Sequence, residues 1–476
     1  MISFILPRYV IINFTNKMKV YLEDTITAIS TPIGEGGIGI VRLSGPQSLE
    51  IADQIFVGKV KPSEVPTYTT HYGHIVFQKE IIDEVILTVM RAPGSYTRED
   101  IVEINCHGGI VPLKMVLEIV LQLGARLAQP GEFTRRAFLN GRIDLVQAEA
   151  VVDIIRAKTD LSLRAAVSQL EGKLSAIVRQ IREALIKVLA SIEAAIDFVE
   201  EDIEIISQQE ILERLENIGV QLQNLLATAE GGKILREGIS MVIAGRPNVG
   251  KSSLLNAFLR EQRAIVTPIP GTTRDVIEEI INMEGIPLKI ADTAGIRPVH
   301  DIVEKEGVAR SRSCIQRSDL VLLLFDGSEA LTEEDRQLLK EIKDKKAILV
   351  INKIDLPQQI EIDEIKPEVV NKPLVKISAT EEIGLSQLEK TIVEMVWRGE
   401  VVASNGTLVT NVRHRNALRE ANSSIQRAIE TTSQGRSEEL IAVDIRAGMD
   451  SLGEIIGETV TEDILDYIFS EFCLGK

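Results

Sequence analysis

The spacing of apolar residues gives the first part of the chain a mixed texture. Runs rich in β-branched residues occur at 25–30, 38–43 and 85–90 and are separated by turn residues, whereas 112–123 has apolar residues at helical spacing. Residues 24–133 are therefore predicted to combine strands and helices in an α+β domain.

Two longer stretches, 144–196 and 207–230, repeat apolar residues at helical spacing among Ala, Leu, Glu, Gln and Arg. The acidic run at 197–204 separates them. We interpret this run as a solvated helix end, and the alternative is a carboxylate metal site. The same texture returns over 416–433 and 438–472. These stretches predict an all-α domain that is discontinuous in sequence.

Between the helical stretches, short apolar strands alternate with helical segments. The predicted strands cover 241–244, 288–291, 320–325, 347–351 and 374–377. Such alternation predicts a parallel sheet flanked by helices. Because the helical texture resumes on its far side, we expect an α/β domain inserted into the helical domain.

Size and charge narrow the possible partners. The chain has 476 residues, enough for about three domains. Its 53 basic and 70 acidic residues give a net charge of −17, so an RNA partner would have to be held by a local basic patch. Three cysteines without a Cys-x-x-Cys pair favour a reducing compartment. Since no apolar span reaches the ~20 residues of a membrane helix, we expect a cytoplasmic protein without a membrane partner.

The most specific motif is Gly-Arg-Pro-Asn-Val-Gly-Lys-Ser at 245–252, which matches G-x-x-x-x-G-K-[ST] between a predicted strand and a predicted helix. Backbone N–H groups of such a loop surround nucleotide phosphates, and the helix N-terminus adds a favourable dipole. We expect Lys251 to reach the β- and γ-phosphates and Ser252 to bind Mg²⁺ through its hydroxyl.

A second motif, Asn-Lys-Ile-Asp at 352–355, identifies the base. The Asp355 carboxylate can accept hydrogen bonds from both N1–H and the 2-amino group of guanine. Adenine lacks that pair of donors, and a carboxylate left unpaired would reject it strongly. Ser378 and Ala379 fit a backbone contact to guanine O6. The predicted nucleotide is therefore GTP.

Two further motifs, Asp-Thr-Ala-Gly at 292–295 and Gly-Thr-Thr-Arg-Asp at 271–275, are expected to reach the metal and the γ-phosphate. Asp292 suits a water-mediated Mg²⁺ contact, the N–H of Gly295 suits the γ-phosphate, and Thr273 would complete the Mg²⁺ shell with Ser252. This set of motifs resembles the translation-factor-type GTPases. The predicted GTP-binding residues are Asn248, Val249, Gly250, Lys251, Ser252, Ser253, Thr267, Pro268, Ile269, Pro270, Gly271, Thr272, Thr273, Asp292, Thr293, Ala294, Gly295, Asn352, Lys353, Asp355, Ser378 and Ala379.

The residue after Gly295 is Ile296, where many small GTPases have a water-orienting glutamine. Its side chain cannot form a hydrogen bond, so the attacking water must be positioned from elsewhere. Glu304 is a candidate for indirect positioning, and Arg274 and Arg297 are candidates for charge stabilisation. A plain surface role is the alternative for each. Lys251 and Glu304 are the predicted catalytic residues.

Segments along nearly the whole chain carry a resemblance to one family. They are 36–45, 103–109, 130–140, the inserted GTPase with Pro-Asn at 247–248, and Phe-Cys-Leu-Gly-Lys at 472–476. From about residue 24 onwards the chain resembles the MnmE (TrmE) family of tRNA uridine-5-carboxymethylaminomethyl modification GTPases. The expected fold is multidomain, with an α+β N-terminal folate-binding-like domain, a discontinuous all-α helical domain and an inserted α/β P-loop GTPase domain.

The resemblance gives the expected domain bounds. Residues 18–140 would form the N-terminal folate-binding and dimerisation domain, 141–237 and 398–476 the two parts of the helical domain, and 238–397 the GTPase domain. Residues 1–17 are a leader that the family pattern does not need, and Met18 is an alternative start.

The resemblance also implies the activity and the partners. A homodimer would form a heterotetramer with the flavoprotein MnmG, which uses FAD and NADH. Together they would add an aminomethyl or carboxymethylaminomethyl group to C5 of the wobble uridine (U34) of certain tRNAs. A tetrahydrofolate derivative, 5,10-methylene- or 5-formyl-tetrahydrofolate, would bind this chain, and the 5,10-methylene form would supply the one-carbon unit.

Matched to the family's motif, Arg42, Glu103 and Arg142 fall on folate-contact positions, and Lys476 is a further possible contact. Lysine is common in the family at the third position, so Arg142 keeps the charge and changes its geometry. Cys473 resembles the family's cysteine near that pocket. A carboxylate such as Glu103 can pair with the donor–acceptor edge of a pterin, and cationic side chains suit the anionic glutamate tail of a folate.

The family resemblance further implies a K⁺ ion at the phosphate loop. Its ligands would be Asn248, Thr267, Ile269 and Thr272, and two GTPase domains meeting across the dimer would order them. Glu304 would then fix the attacking water. The alternative for Asn248 is a purely structural role in the loop.

Two other classes of GTPase are considered. A ribosome-assembly GTPase without modification activity would share the nucleotide motifs but would add an RNA-binding module with a G-x-x-G clamp, which we do not find after residue 397. A membrane-transport GTPase would need apolar spans that the sequence lacks.

Overall fold

The computed structural model describes residues 24–197, 207–262, 279–291, 313–361, 365, 372–397 and 407–476. It divides into two compact units, Met1–Val152 together with Ile456–Lys476, and Asp153–Ile455. The first unit is therefore built from two segments that are far apart in sequence. None of the described helices has the length and apolar character that a bilayer crossing requires.

The first unit is built around one mixed sheet. Its elements, in chain order, are β1 (Ile26–Ile29), β2 (Ile38–Ser44), α1 (Ser48–Ile55), β3 (Phe56–Gly58), β4 (Thr69–Phe77), β5 (Glu80–Met90), β6 (Ile101–His107), α2 (Ile110–Gln122), β7 (Arg126–Leu127), α3 (Glu132–Leu139) and α4 (Leu145–Arg156). The strand order is β3-β4-β5-β6-β2-β1-β7, and neighbours are antiparallel apart from β1 and β7.

Alternation along β2 separates a buried face of this sheet from a polar one. Val41 and Leu43 are fully buried in a core that also contains residues of α1 and α2, such as Ile51. Arg42 lies on the opposite face, in register with Glu103 of β6. The strand pattern thus brings two of the predicted folate contacts together.

In chain order, the second unit has helices before and after the strands of an α/β sheet. Its elements are α5 (Asp160–Leu170), α6 (Lys173–Asp197), α7 (Gln208–Ala227), α8 (Ala229–Glu237), β8 (Ile239–Ala244), α9 (Lys251–Gln262), β9 (Glu279–Met283), β10 (Ile286–Ile290), β11 (Leu320–Asp326), α10 (Glu333–Glu341), β12 (Ala347–Asn352), β13 (Leu374–Lys376), α11 (Leu385–Trp397), α12 (Val412–Ser433) and α13 (Glu438–Ile456); α14 (Glu462–Ser470) then belongs to the first unit.

The sheet of the second unit has the order β13-β12-β11-β8-β10-β9, with parallel neighbours except for β9. Separate buried clusters pack on its two faces, one around Leu322 and Phe258 and the other around Leu323 and Ile315. The predicted multidomain fold, with an α/β domain inserted into a discontinuous helical domain, is confirmed. The sequence pattern did not predict β9, which is antiparallel to β10.

Two of the predicted helical stretches are interrupted. The stretch at 438–472 forms α13 and α14, because Gly457 adopts a positive φ of 89° and Thr461 starts a new helix. The stretch at 144–196 forms α4, α5 and α6. The side chain of Thr159 caps α5 by accepting the N–H of Ser162, and Gly172, with φ of 80°, separates α5 from α6.

A close backbone approach joins the two parts of the helical domain. A Cβ on Gly232, in α8, would lie 2.2 Å from the carbonyl oxygen of Val409. The N–H of Val409 donates to Thr228 Oγ1 (3.1 Å), and Gln169 Nε2 donates to Thr410 Oγ1 (2.8 Å). The chain segments before and after the inserted sheet therefore meet at this point.

We expect Gly232→Ala to lower the free energy of unfolding by about 1–3 kcal/mol, because the new methyl group would meet fixed backbone atoms. Gly219→Ala is the matched control. Gly219 lies within α7, and the atom nearest to its added Cβ, at 3.1 Å, is the flexible amide nitrogen of Gln426. This control should be neutral or stabilising by up to about 1 kcal/mol. Chemical denaturation of both variants measures the difference, and equal stability would contradict the packing argument.

Candidate functional site

The predicted phosphate loop connects β8 to α9. Gly245 (φ 147°), Asn248 (φ 62°) and Gly250 (φ 100°) supply the positive φ angles that bend it. A Cβ on Gly245 would lie 2.6 Å from the carbonyl oxygen of Leu324, so the loop packs directly against the backbone of β11. These angles form a tight turn immediately before the helix N-terminus, the geometry that anion binding uses.

Lys251 is held over this loop by its backbone. Its Nζ donates to the carbonyl oxygens of Gly245 and Arg246, both at 2.8 Å. Burial lowers the pKa of Lys251, and the charge of Glu334 opposes that shift. The ammonium group is therefore already positioned at the loop where a phosphate would need it.

Asn352, at the end of β12, links the phosphate loop to the predicted guanine site. Its Nδ2 donates to the carbonyl oxygen of Val249 (2.8 Å), and its Oδ1 accepts the N–H of Ala379 (3.0 Å). The side chain is buried and both ends of its amide are paired. Three of the predicted nucleotide segments are therefore brought to one edge of the sheet.

Lys353, which follows Asn352, forms a charge pair with Asp326 at the end of β11. Lys353 adopts a positive φ of 64°, and its Nζ donates to Asp326 Oδ2 at 2.5 Å. Burial raises the pKa of the Asp326 carboxyl, but the hydrogen bonds from Lys353 and Ser328 outweigh it and lower the pKa below its usual value. Asp355 is exposed, as an acceptor for an incoming base must be.

The other predicted nucleotide and cation residues lie outside the described part of the chain. They are Thr267, Pro268, Ile269, Pro270, Gly271, Thr272, Thr273, Arg274, Asp292, Thr293, Ala294, Gly295, Arg297 and Glu304. Their roles stay predictions.

A second cluster, in the first unit, contains the predicted folate residues. Arg42 donates through Nε to Glu103 Oε1 (2.8 Å) and through Nη1 to the carbonyl oxygen of Gly475 (3.2 Å). Lys476 is partly buried, and burial followed by the charge of Arg42 lowers its pKa, whereas Glu103 opposes the shift. Arg42, Glu103 and Lys476 therefore share one electrostatic environment.

Two aromatic rings line the same cluster and were not predicted as site residues. The guanidinium carbon of Arg42 lies 5.6 Å from the ring centroid of Phe133, and that of Arg142 lies 4.7 Å from the ring of Tyr96. Burial raises the pKa of Tyr96, while its hydrogen bond with Thr134 and the charges of Arg142 and Arg42 oppose the shift. Tyr96 therefore contacts Arg142 and lies within the electrostatic influence of Arg42.

Cys473 lies beside this cluster on an exposed part of the chain. Its carbonyl oxygen accepts the N–H groups of Gly131 (3.5 Å) and Lys476 (3.4 Å). The backbone of the 473–476 segment is thereby attached to the loop before α3, and Cys473 itself is exposed.

Comparison with known proteins identifies the family. A model of the MnmE helical domain matches residues 145–473, and a model of the N-terminus of the GTP-binding protein TrmE matches residues 25–142. The tRNA modification GTPase MnmE of Alkaliphilus oremlandii is 50% identical over 460 residues, which cover 96% of this chain and 100% of the relative. That of Geobacillus kaustophilus is 51% identical over 459 residues, covering 95% and 99%. The chain belongs to the MnmE (TrmE) family of tRNA modification GTPases.

Membership of the MnmE family confirms the predicted enzyme class, a GTPase that uses GTP and Mg²⁺ and acts in tRNA modification. The phosphate loop holds a lysine side chain and precedes a helix N-terminus, and this arrangement fits a nucleoside triphosphate. A match of this length disfavours the alternative of a ribosome-assembly GTPase without modification activity.

Solved structures resemble this MnmE family chain over smaller parts. Era in complex with MgGDPNP and 16S ribosomal RNA is 28% identical, with a TM-score of 0.27 that covers 39% of this chain and 66% of that one. The FeoB G-domain of Methanococcus jannaschii is 24% identical, with a TM-score of 0.25 over 33% and 97%. Scores this low add nothing to the assignment.

Sequence reasoning missed Tyr96, Phe133 and the carbonyl of Gly475. Phe133 lies in the family-like segment at 130–140, which was the only signal for it. Gly475 lies in the family-like segment at 472–476, whereas Tyr96 lies outside those segments. The contacts of both residues join distant parts of the chain, which no local pattern reveals.

Proposed function

We propose that this chain hydrolyses GTP in its second unit and uses that cycle to drive modification of C5 of the wobble uridine of certain tRNAs. This chain would act together with the flavoprotein partner MnmG, which uses FAD and NADH. The group that the two proteins add is aminomethyl or carboxymethylaminomethyl. The observation that supports it best is the presence of two built sites, the phosphate loop joined to Asn352 and the Arg42–Glu103 cluster. Family membership supports the division of labour between them.

The domain organisation that we propose follows from the same similarity. A domain at 18–140 would bind folate and hold a homodimer, 238–397 would bind GTP, and 141–237 with 398–476 would form the helical domain. The family-model bounds at 25–142 and 145–473 support this division. We place the protein in the cytoplasm, as a heterotetramer with MnmG that acts on tRNA.

In the proposed nucleotide site, the N–H groups of residues 248–253 surround the phosphates and Lys251 contacts the β- and γ-phosphates. Ser252 and Thr273 bind Mg²⁺, which supplies charge neutralisation during phosphoryl transfer. Asn352 keeps the base-recognition segment fixed to the phosphate loop. Asp355 selects guanine.

We expect Asp355→Asn to weaken GTP binding by at least about tenfold and to increase binding of xanthosine triphosphate, because an amide reverses one hydrogen-bond polarity. Fluorescence titration with both nucleotides measures the change. Asp344→Asn, an acidic position elsewhere in the same unit, is the control and should bind GTP normally. Unchanged GTP affinity in Asp355→Asn would contradict the guanine assignment.

The Arg42–Glu103 cluster suits a reduced folate of the 5,10-methylene- or 5-formyl-tetrahydrofolate type. Glu103 offers a carboxylate to the pterin edge, and Arg42, which is ion-paired with it at 2.8 Å, would meet the same end of the ligand. Lys476 adds positive charge to this cluster, and Arg142 offers positive charge to the anionic glutamate tail. The ring of Tyr96 lies under Arg142 and limits where that charge can move. The pocket would thus hold the one-carbon donor, with the Cys473 thiol nearby.

We expect Arg42→Ala to reduce affinity for 5-formyl-tetrahydrofolate by about tenfold or more, since a charged partner of the ligand is lost. GTP hydrolysis should change less than about twofold, because the phosphate loop belongs to the other unit. Calorimetry measures binding. The fraction of modified wobble uridine in tRNA from a deletion strain that carries each variant measures function. The control is Lys59→Ala, which removes an exposed cation of the same unit. Wild-type folate binding by Arg42→Ala would remove Arg42 from the site.

We infer that K⁺ assists hydrolysis, because Ile296 cannot orient water and positive charge is still needed near the transferred phosphoryl group. Asn248, Thr267, Ile269 and Thr272 would hold the ion when two GTPase domains pair. The positive φ of Asn248 places this residue within the bend of the loop. Glu304 would fix the attacking water.

GTP turnover should be faster in potassium chloride than in sodium chloride of the same ionic strength. Asn248→Ala should lose this difference, and Glu304→Ala should lose turnover while nucleotide affinity is retained. Steady-state phosphate release in the two salts is the measurement. Equal rates would rule out the cation mechanism and direct attention to Arg274 and Arg297.

A further inference from the structure

Several carboxylates lie beside the proposed phosphate loop. Asp326 ends β11, Glu329 follows it, and Asp335 lies in the first turn of α10. The charge of Glu334, in the same turn, acts on Lys251. Negative charge next to a triphosphate site opposes binding unless a cation neutralises it. The sequence motifs of the loop do not by themselves explain how this cost is avoided.

Arg246, the second residue of the loop, faces these carboxylates. Its Nη2 lies 2.5 Å from Glu329 Oε2, and its Nε lies 3.3 Å from Asp335 Oδ2. The Arg246 side chain is 15% exposed and that of Asp335 only 4%, so this pair is largely removed from solvent. Burial opposes the charged form, but the hydrogen bond with Glu329, followed by the charges of Asp335, Glu329 and Asp326, raises the pKa of Arg246.

Asp335 depends on this contact for its charge balance. Its Oδ2 already accepts the N–H (3.1 Å) and the hydroxyl (2.8 Å) of Thr332 in a capping box. Its Oδ1 is buried and, among the described residues, receives no hydrogen bond. Neutral donors cap the helix but do not cancel the charge, and Arg246 is the cation that pairs with Asp335 within the described part of the chain.

The backbone of Arg246 has a second role at the same place. Its carbonyl oxygen accepts a hydrogen bond from Lys251 Nζ at 2.8 Å. The side chain contacts the start of α10 through charge, since Arg246 Nε makes no hydrogen bond among the described residues. The carbonyl group holds the lysine that would meet the phosphates. The anchoring of one residue therefore affects both the charge and the geometry of the loop.

We propose that Arg246 is a positioning residue for nucleotide binding, which neutralises the Asp335–Glu329 carboxylates beside the phosphate loop and steadies Lys251. This inference rests on the proposed nucleotide site. It predicts that binding of GTP and GDP depends on the balance between Arg246 and Asp335 rather than on Arg246 alone.

The experiment measures the dissociation constants of fluorescent GTP and GDP for variants of the full chain. Arg246→Met should raise both constants about tenfold or more, because the buried carboxylate of Asp335 is left without its counter-charge, whereas Glu329 is half exposed and screened by solvent. Arg246→Lys, which keeps the charge, should stay within about threefold of the unmodified chain. Arg260→Met is the matched control, since Arg260 lies in the last turn of α9 and is exposed.

Asp335→Asn separates charge from structure. With Arg246 present, loss of this carboxylate should tighten nucleotide binding about twofold to fivefold, whereas a purely structural role would weaken it. The double variant Arg246→Met with Asp335→Asn should recover most of the affinity lost in Arg246→Met. Circular dichroism verifies that each variant is folded, and if Arg246→Met is not, the sign of the Asp335→Asn effect decides.

Unchanged binding in Arg246→Met, weaker binding in Asp335→Asn, or no recovery in the double variant would overturn the inference while the nucleotide site stands. Failure of the unmodified chain to bind fluorescent GTP would instead overturn the proposed site, and the inference with it.

Discussion

The backbone contact between Gly232 and Val409 is the constraint on which the second unit depends. An inserted domain leaves its host intact only if the host segments before and after the insertion lie side by side. Here a side chain as small as alanine at residue 232 would meet the Val409 carbonyl, and Thr228 and Gln169 complete the junction with hydrogen bonds. Helix α12 can then pack on α7 as though the chain between them were absent.

The order of the strands in the inserted sheet determines where its phosphate and guanine loops lie. The loops after β8 and β12 emerge at the same edge because those strands are parallel to β11 between them. The Asn352 amide then uses a donor and an acceptor at once, on Val249 and Ala379. A buried amide satisfied in this way tolerates little movement, so the phosphate and guanine segments are expected to behave as one rigid body.

The parts of the fold that the sequence could predict are those whose signal is local. The bend at 245–250 follows from glycines and an asparagine that can adopt positive φ, and the strands β8, β11 and β12 contain uninterrupted buried apolar runs at 241–244, 320–325 and 347–351. The β9 edge strand has no such signal, because it carries Glu279 and Asn282 among its apolar residues. The pairing of Arg246 with Asp335 was equally invisible, since both residues have sufficient local explanations in a loop motif and a helix cap.

The cluster around Arg42 depends on contacts over an even longer distance in sequence. The carbonyl oxygen of Gly475 accepts a hydrogen bond from Arg42 Nη1. Gly475 adopts a positive φ of 86°, and a Cβ at this position would lie 2.5 Å from the carbonyl oxygen of Ile29. Packing of Phe469 and Phe472 with residues of α3 and α4 holds this segment in the first unit. Because the whole second unit precedes it in the chain, the first unit cannot complete the cluster until that unit has been synthesised. Family resemblance could predict Arg42, Glu103 and Arg142, but only the structure shows that Phe133, Tyr96 and the Gly475 carbonyl contact them.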